Sequence, residues 1–441
     1  MTHLVLLAML MQAEPLTLQA EPLTLDAAVT QGLANSRRLA QLQAQSKAAD
    51  FDVSDRRSQL YPIASLQAGY QRTNHVEEFV VIAPGPTRQT VYPDIPDNYR
   101  TRLDLQWPIY TGGRTDALIR AATAERTATG KDLDAARADL RLEITRAFYA
   151  VMTARDTEDV LRRSLDAAQA HLGDVRSRLA SGLIPPNDVS SAEAEVSHER
   201  VLAVEASNQR GIAEADLQRL IGARPGPLSI DTSSIVKGES PLVSQIQETT
   251  GVADLIARAI KNRPERQALE QRAQEASLRA NASAAGGKPQ IALSSGYNYS
   301  NPNPVNFPKR AEWTTSWDVT VNVTWTLWDG GRRGAETGQA RANADGLRTR
   351  IEDLDRELTF EVRSRALELA SSRQAVTAAD DEVRAAVEAE RVVGERYRAG
   401  VATATEVLDA QVARLQAELD RTRAVADVRL AEARLERAVG R

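Results

Sequence analysis

The stretch Trp317 to Arg332 reads WDVTVNVTWTLWDGGR, and its alternation decides the fold. Trp317, Val319, Val321, Val323, Trp325 and Leu327 hold every second position, with Asp318, Thr320, Asn322, Thr324 and Thr326 between them. A period of two marks a strand with one apolar and one polar face. The alternation stops at Gly330-Gly331, and a proline-free run of about 67 residues follows, reading as helix until Gly400. The same event occurs earlier. Leu103, Leu105, Trp107 and Ile109 alternate, then Gly112-Gly113-Arg114 opens a second proline-free run that ends near Gly182. Twice, this chain makes a half-apolar strand, turns on a glycine pair and launches a very long helix.

A chain of 441 residues has room for two or three ordinary domains, but its composition argues against them. Aromatics make up only 4%, while Ala, Arg, Glu, Asp and Leu are abundant, the balance of long helices in coiled-coil contact. Of the nineteen aromatic side chains, fourteen lie in two windows, Tyr61 to Tyr110 and Pro289 to Trp328, all five Trp among them. The aromatics therefore sit where the strands are. The net charge of −5 is mild, and no Lys/Arg cluster points to nucleic acid. Cysteine is absent, which excludes disulfides, thiolate zinc sites, a Cys nucleophile and a lipidated N-terminal cysteine. Leu4 to Met11 is an apolar run followed by Gln12 and Ala13, which fits a short secretory signal at 1–13. No later segment has the eighteen or so continuous apolar residues of a spanning helix, so a membrane crossing has to be made by strands.

The order of the rest is regular. After the tandem EPLTLQA and EPLTLDA at Glu14 and Glu21, a helical segment is expected from Leu25 to about Leu60, ended by Pro62. Extended residues, a loop with Pro84, Pro86, Pro93 and Pro96, and the strand ending at Tyr110 make a β-hairpin at about 62–110. A long helix is expected at 114–180, carrying the heptad seam Leu161, Leu165, Ala168, Leu172, Val175 and Leu179. Gly182 and Pro185-Pro186 break it, and Asn187 or Asp188 is expected to cap a return helix at 187–220. A linker at 223–250 follows. The second half replays the first: helix interrupted at Pro264, a hairpin at about 289–328, a long helix at 332–399 and a return helix at 404–438 capped by Thr403 or Thr405.

Arithmetic supports a duplication. Asn35 and Asn262, Pro62 and Pro289, and Tyr70 and Tyr297 are each 227 apart. Trp107 and Trp325, Gly112 and Gly330, Gly182 and Gly400, and Val189 and Val407 are each 218 apart. The register slips only in the first proline-rich loop, so the two long helices have equal length. The repeats span 14–222 and 251–441.

Four strands with an apolar face cannot close a barrel, and a membrane leaves their edges no other partner. Membrane barrels need about eight strands or more, so two or three copies of the chain are required. At this point the chain is identified as resembling the TolC-like outer-membrane efflux family, from Leu23 to the C-terminus. The likeness rests on LTLDAAVTQGLANSRRL, the doubled strand-GGR-helix units, and the doubled turns RLASGLIPPNDV and RYRAGVATATEVLDA. It implies a mainly α fold with β. Long coiled-coil hairpins would form an α-barrel in the periplasm, and four strands per chain would contribute to a trimeric, twelve-stranded transmembrane β-barrel in the outer membrane. It implies a passive exit duct of a tripartite efflux or type I secretion system, partnered by a periplasmic adaptor and an inner-membrane pump, with no cofactor.

The resemblance also assigns roles. Gly182, Leu183, Ile184, Gly400 and Val401 hold the tip positions that meet the adaptor, although glycine at a helix end needs no function beyond its left-handed cap. Glu406 and Asp409 share a helix face and would form a ring of six carboxylates in a trimer, able to attract cations. Tyr397 and Asp188 match a tyrosine–aspartate bond that completes the periplasmic gate, while Ala402 stands where the family's best-studied form has an arginine. Gly112, Gly113, Arg114, Gly330, Gly331 and Arg332 make the strand-to-helix turns, and Trp107, Tyr110, Trp317, Trp325 and Trp328 are the expected membrane-interface aromatics. Enzyme readings find little support: His3, His75, His171 and His198 lack metal-ligand spacing, and DGGRRG lacks the GK[ST] of a phosphate loop. The rival reading is a non-channel coiled-coil scaffold or adaptor of the cell envelope, which would not require Trp-rich amphipathic strands.

Overall fold

The computed structural model describes residues 22–82, 88–226, 228–230 and 251–440. The expected signal, the tandem leader and most of the linker lie outside them. The chain divides into two compact units, each discontinuous in sequence. One comprises the described parts of Met1–Ser36, Ala138–Val252 and Arg363–Arg437; the other comprises Arg37–Arg137, Ala253–Val362 and Ala438–Arg441.

The unit that begins at Arg37 holds the sheet. Strands β1 (Ile63–Arg72), β4 (Asp97–Tyr110), β5 (Gln290–Asn301) and β6 (Thr314–Thr324) pair antiparallel in the order β1-β4-β5-β6. A separate hairpin, β2 (Phe79–Ile82) with β3 (Arg88–Tyr92), lies in the segment expected as a proline-bearing loop. The register sorts the side chains by face. Leu66, Leu103, Tyr297 and Trp317 form one row across the sheet, and Trp107, Leu293 and Val321 another. One position along, Ser65, Asp104, Gly296 and Asp318 form a polar row. The apolar face lies open: Leu66, Leu103, Tyr297, Trp317, Val319, Val321 and Val323 are all exposed. So are both edges, since neither β1 nor β6 has an outer partner strand among the described residues. Helix α2 (Arg37–Ser58) feeds β1, and α5 (Gly251–Asn262) is followed by α6 (Pro264–Ala285), which feeds β5. Helix α6 buries Ala268, Ala273, Ala276, Ala280, Ala282 and Ala285, small side chains that let neighbouring backbones approach.

The long helices α3 (Arg114–Ala180) and α7 (Arg332–Arg398) each have 67 residues, about 100 Å. In the other unit, α3 and α7 turn back into α4 (Pro186–Ile221) and α8 (Ala404–Ala438), with α1 (Leu25–Asn35) beside α4. The expected seam of α3 is half right in detail: Leu161, Ala168 and Val175 are buried, while Leu165, Leu172 and Leu179 are only partly covered. Ile144, Phe148 and Val151 complete the fully buried stripe of α3, facing inward with Leu217 and Ile221 of α4 and Leu369 and Leu435 of α7 and α8.

Three local expectations are corrected. The first helical segment is two helices, broken at Ser36, which matches the break at Arg263 before Pro264 at the 227-residue offset. The return helix α4 is not capped by Asn187 or Asp188. Pro185 takes the cap position with no side-chain bond, Pro186 fits the first helical position, and Asp188 falls in the first turn. Strand β6 ends at Thr324, so Trp325 and Trp328 follow it rather than belong to it. Thr324 pairs with Gln290, the first residue of β5, and beyond that the partner chain is already turning out of α6.

Candidate functional site

The residues singled out from sequence fall in two places: the sheet with its turns into helix, and the turns that end α3 and α7. At the sheet, Gly112 and Gly113 have φ of 66° and 87°, and Gly330 and Gly331 have 68° and 88°. These are left-handed values that favour glycine. At Gly112 space also demands it, because a Cβ would stand 2.9 Å from the Ala285 carbonyl oxygen. Arg114 and Arg332 are the first helical residues after each pair. Thr111 Oγ1 accepts the Thr115 N–H at 3.2 Å, and the Asp329 carboxylate accepts those of Gly331 and Arg333, both at 3.2 Å. Both are caps for otherwise orphaned donors. Neither was singled out from sequence, although they stand 218 apart, one residue before each glycine pair.

The tryptophans repeat as well. Trp107 Nε1 donates to the Leu60 carbonyl and Trp325 Nε1 to the Gly287 carbonyl, each at 3.0 Å. The duplication is thus reproduced in hydrogen bonds, with offsets of 218 for the donors and 227 for the acceptors. Trp107, Tyr110, Trp317, Trp325 and Trp328 are all exposed, Trp328 at 85%. Trp317 stands apart from the other four: it pairs with Tyr297, towards the far end of the strands, where a second aromatic group lies. Tyr70 and Tyr99 have ring centroids 5.0 Å apart, and Tyr99 and Tyr299 flank Trp313 at 5.8 and 4.8 Å. These four lie in the two aromatic windows of the sequence, and the cross-strand register is what gathers them. Eleven residues separate Tyr99 from Tyr110 in β4. That is about 36 Å of strand, or roughly 25–30 Å of height at a membrane barrel's 35–45° tilt, close to the ~25 Å apolar band of such barrels.

The polar face carries an ion-pair bridge. Arg102 reaches Asp104 at 2.6 Å and crosses β5 to Asp318 at 3.3 Å. It passes over Gly296, where a Cβ would overlap the guanidinium. A glycine on β5 therefore lets a charge on β4 meet its partner on β6.

At the helix ends, Gly182 and Gly400 have φ of 72° and 76°. Gly182 N–H bonds to Leu179 C=O at 2.9 Å and Leu183 N–H to Arg178 C=O at 3.0 Å; Gly400 and Val401 repeat this with Tyr397 and Arg396 at 3.0 and 2.9 Å. This is the Schellman pattern, which satisfies the last carbonyls. It normally tucks its final apolar residue against the helix, but here Leu183 and Val401 are 74% and 65% exposed. Ile184 is half-buried.

Of the expected gate residues, Tyr397 is buried, and its hydroxyl has no hydrogen-bond partner among the described residues. The expected bond to Asp188 is not formed. The Tyr397 ring is held elsewhere, with the Arg178 guanidinium 4.3 Å above it and His171 at 5.9 Å on its edge. Asp188 accepts instead from the Asn187 amide at 3.1 Å. Asp188 and Glu406 are 218 apart and occupy equivalent first turns. Glu406 also closes a capping box: its carboxylate accepts the Thr403 N–H at 2.6 Å, while Thr403 Oγ1 accepts the Glu406 N–H at 3.3 Å. Asp409 is exposed one turn further on. The Thr403 N–H holds the Glu406 carboxyl below its ordinary range. A depressed carboxylate pKa stabilises above the unfolded value and loses that contribution as pH falls through the folded one. The start of α8 is therefore expected to loosen on acidification below the glutamate range. Hydrogen exchange at the amides of 404–407 should accelerate there and be pH-insensitive relative to its neighbours in Glu406→Gln.

The family described as "Outer membrane efflux protein" matches residues 28–223 and 255–441. Outer membrane protein TolC of Vibrio cholerae serotype O1 is 24% identical over 419 residues, covering 93% of this chain and 89% of that protein. A membrane protein from Pseudomonas aeruginosa superposes with a TM-score of 0.78 at 22% identity, over 94% of this chain and 90% of the other. The open state of the MtrE outer membrane channel of Neisseria gonorrhoeae superposes at 0.76 with 20% identity, over 94% and 88%.

Proposed function

The chain belongs to the outer membrane efflux protein family, and on that premise we propose that three copies form the exit duct of a tripartite efflux or type I secretion system. The observation that carries this reading is a four-stranded sheet with an exposed apolar face and two unpaired edges. Joining β6 of one copy to β1 of the next closes twelve strands and leaves no edge. The apolar rows then face lipid between the two aromatic girdles, and the Arg102–Asp104–Asp318 row faces the lumen. The helical hairpins continue the passage through the periplasm towards an adaptor and an inner-membrane pump. The duct is passive, and no residue in it is assigned a catalytic role. Leu183, Ile184 and Val401, displayed by Gly182 and Gly400, are the proposed docking knobs. Asp188, Glu406 and Asp409 line the narrow end, with Tyr397 packing the turns rather than bonding to Asp188.

Two measurements test it. Detergent-extracted protein should run as a trimer by native mass, and in planar bilayers it should conduct. Replacing Asp188, Glu406 and Asp409 with Asn, Gln and Asn removes nine negative charges from a trimer. The reversal potential under a KCl gradient should then move towards zero, since a ring of carboxylates favours cations. An unchanged cation preference would place these carboxylates off the pathway; a monomer without conductance would end the reading.

A further inference from the structure

Where the strands run into the helices, a cleft is walled by the same positions of both repeats. It holds about 510 Å³, within the range of small-ligand sites. Asp52 of α2 and Arg279 of α6 line it, and they are 227 apart, the offset of that part of the duplication. Arg114 at the start of α3 and Arg332 at the start of α7 line it too, 218 apart, as do Leu118 and Glu336 one turn further along. Between these equivalent positions an acid has become arginine and a leucine has become glutamate. The arginine that follows each glycine pair is unchanged. Thr326, which continues the polar alternation of β6, forms part of the wall, so the cleft opens on the polar side of the sheet.

Its charges do not cancel. Five arginines and four carboxylates line it, and each carboxylate is already engaged. Asp52 meets Arg56 at 3.6 Å, Asp329 meets Arg333 at 3.5 Å and Glu336 meets Arg332 at 3.2 Å. Glu125 approaches Arg272, which stands outside the cleft, at 3.9 Å. Arg279 turns to Glu275, also outside. Arg114 is left with no carboxylate or hydrogen-bond partner for its guanidinium among the described residues. All its side-chain N–H donors stay unspent, and Arg332, 73% exposed, gives one of its own to Glu336. Backbone donors at these helix starts are already capped by Thr111 and Asp329, so the side chains carry the site.

We propose that this cleft binds multivalent anions, small molecules with two or more phosphate or carboxylate groups, and that Arg114 and Arg332 are the gripping pair. Strands β4 and β6 flank β5, so the chains leading into α3 and α7 run about 9.5 Å apart. Two guanidiniums on flexible stems close that span on a polyphosphate, whereas a single phosphate meets only one of them. Guanidinium presents paired N–H donors to such oxyanions and keeps its charge throughout the physiological pH range. The site's place on the passage rests on the duct reading. Three copies would set six of these arginines around the base of the barrel, a cationic collar in series with the carboxylates at the narrow end.

Calorimetric titration of the full chain in detergent with inorganic tripolyphosphate tests the site, and planar bilayers with the same anion test its place. Saturable binding is expected, about tenfold or more tighter than for orthophosphate, and weakening as KCl rises. Arg114→Gln with Arg332→Gln should weaken it by about tenfold or more. Both side chains are exposed, so the double variant should fold as the parent does. Arg350→Gln with Arg384→Gln removes the same charge from exposed stretches of α7 and should bind within about twofold of the parent. In bilayers, tripolyphosphate should lower the conductance of the parent and not that of the Arg114/Arg332 variant. If a conducting trimer shows no saturable binding, or the control loses as much affinity as the Arg114/Arg332 variant, the site is overturned while the duct stands. If binding follows the two arginines in a protein that does not conduct, the site stands and the duct reading falls.

Discussion

Arginine in place of Val321 is expected to abolish accumulation of the protein in the outer membrane, whereas arginine in place of Asn322 is expected to be tolerated. The two positions are adjacent on β6 and equally able to extend a ladder. They differ only in face. Val321 stands opposite Leu293 on the apolar face, in the row that includes Trp107 and on that side of the strand's middle, and Asn322 stands on the polar face, where it donates to Ser294 Oγ at 3.0 Å. Arginine on the lipid face of a barrel costs about 2–4 kcal/mol at the bilayer midplane and less towards the interfaces, and a trimer carries Val321's share of that cost three times over. A lumen-facing arginine keeps its water. Were the sheet instead a water-facing surface of a scaffold, both substitutions would be harmless. Fractionation of the two variants, with native mass as the readout of assembly, decides between these pictures; equal accumulation would contradict a lipid-facing row.

The second large effect is expected at the helical tips. Changing Leu183 and Val401 together to Asp should leave assembly and bilayer conductance intact while removing adaptor binding. Both side chains are exposed and neither fills the core, so folding has little reason to respond. Each Schellman turn is made by backbone groups alone and survives the change. Buried apolar anchors at interfaces commonly cost 2 kcal/mol or more when lost, and an unpaired carboxylate in their place adds a desolvation penalty. A weakening of at least about a thousandfold for the pair is therefore expected in pull-down or surface-binding measurements with the cognate adaptor. Binding within tenfold of the parent would move the docking surface elsewhere. The glycines behave differently: Gly182→Val and Gly400→Val force a side chain into left-handed backbone, and should lower stability as well as binding.

How far the fold could be read in advance depends on which forces fix each feature. The alternation at Trp317–Thr324, the glycine pairs and the helix-ending Gly182 and Gly400 are imposed by the backbone, so composition and spacing carry them directly. The mainly α architecture with a membrane sheet followed from those positions. The break at Ser36 was hidden because it has no proline, unlike its counterpart before Pro264; packing of α1 on α4 ends that helix, and packing is not local. The β2–β3 hairpin was hidden for the opposite reason, since Pro84 and Pro86 between its strands and Pro93 and Pro96 after them mask two short strands. Trp325 shows a third kind of limit. Its alternation is real, but a strand needs a partner, and β5 has run out by then.

The candidate site divides in the same way. The tips and the strand-to-helix turns sit at backbone-determined places, so their positions were legible. Tyr397 was not, because a ring buried under Arg178 is a choice among tertiary neighbours. Glu406 is legible as a local device, since Thr403 to Glu406 spells the capping box, a function that stands beside any role at the gate.

The equal lengths of α3 and α7 limit how this protein can change its reach. Deleting one residue from α3 would shorten it by about 1.5 Å and rotate everything beyond by about 100°, turning the buried stripe of Leu161, Ala168 and Val175 towards water. Deleting seven would keep the stripe nearly in phase, but would drop Gly182 out of step with Gly400 and strip Tyr397 of the Arg178 that covers it. Only a matched loss or gain of seven in both helices, with the same change in the return helices α4 and α8, preserves the seam and keeps the paired turns level. Reach is therefore quantised, in steps of about 10.5 Å taken in four helices of each chain. A pump and adaptor that needed a slightly longer or shorter duct could not obtain it by small insertions here, and would have to make up the difference on their own side of the junction.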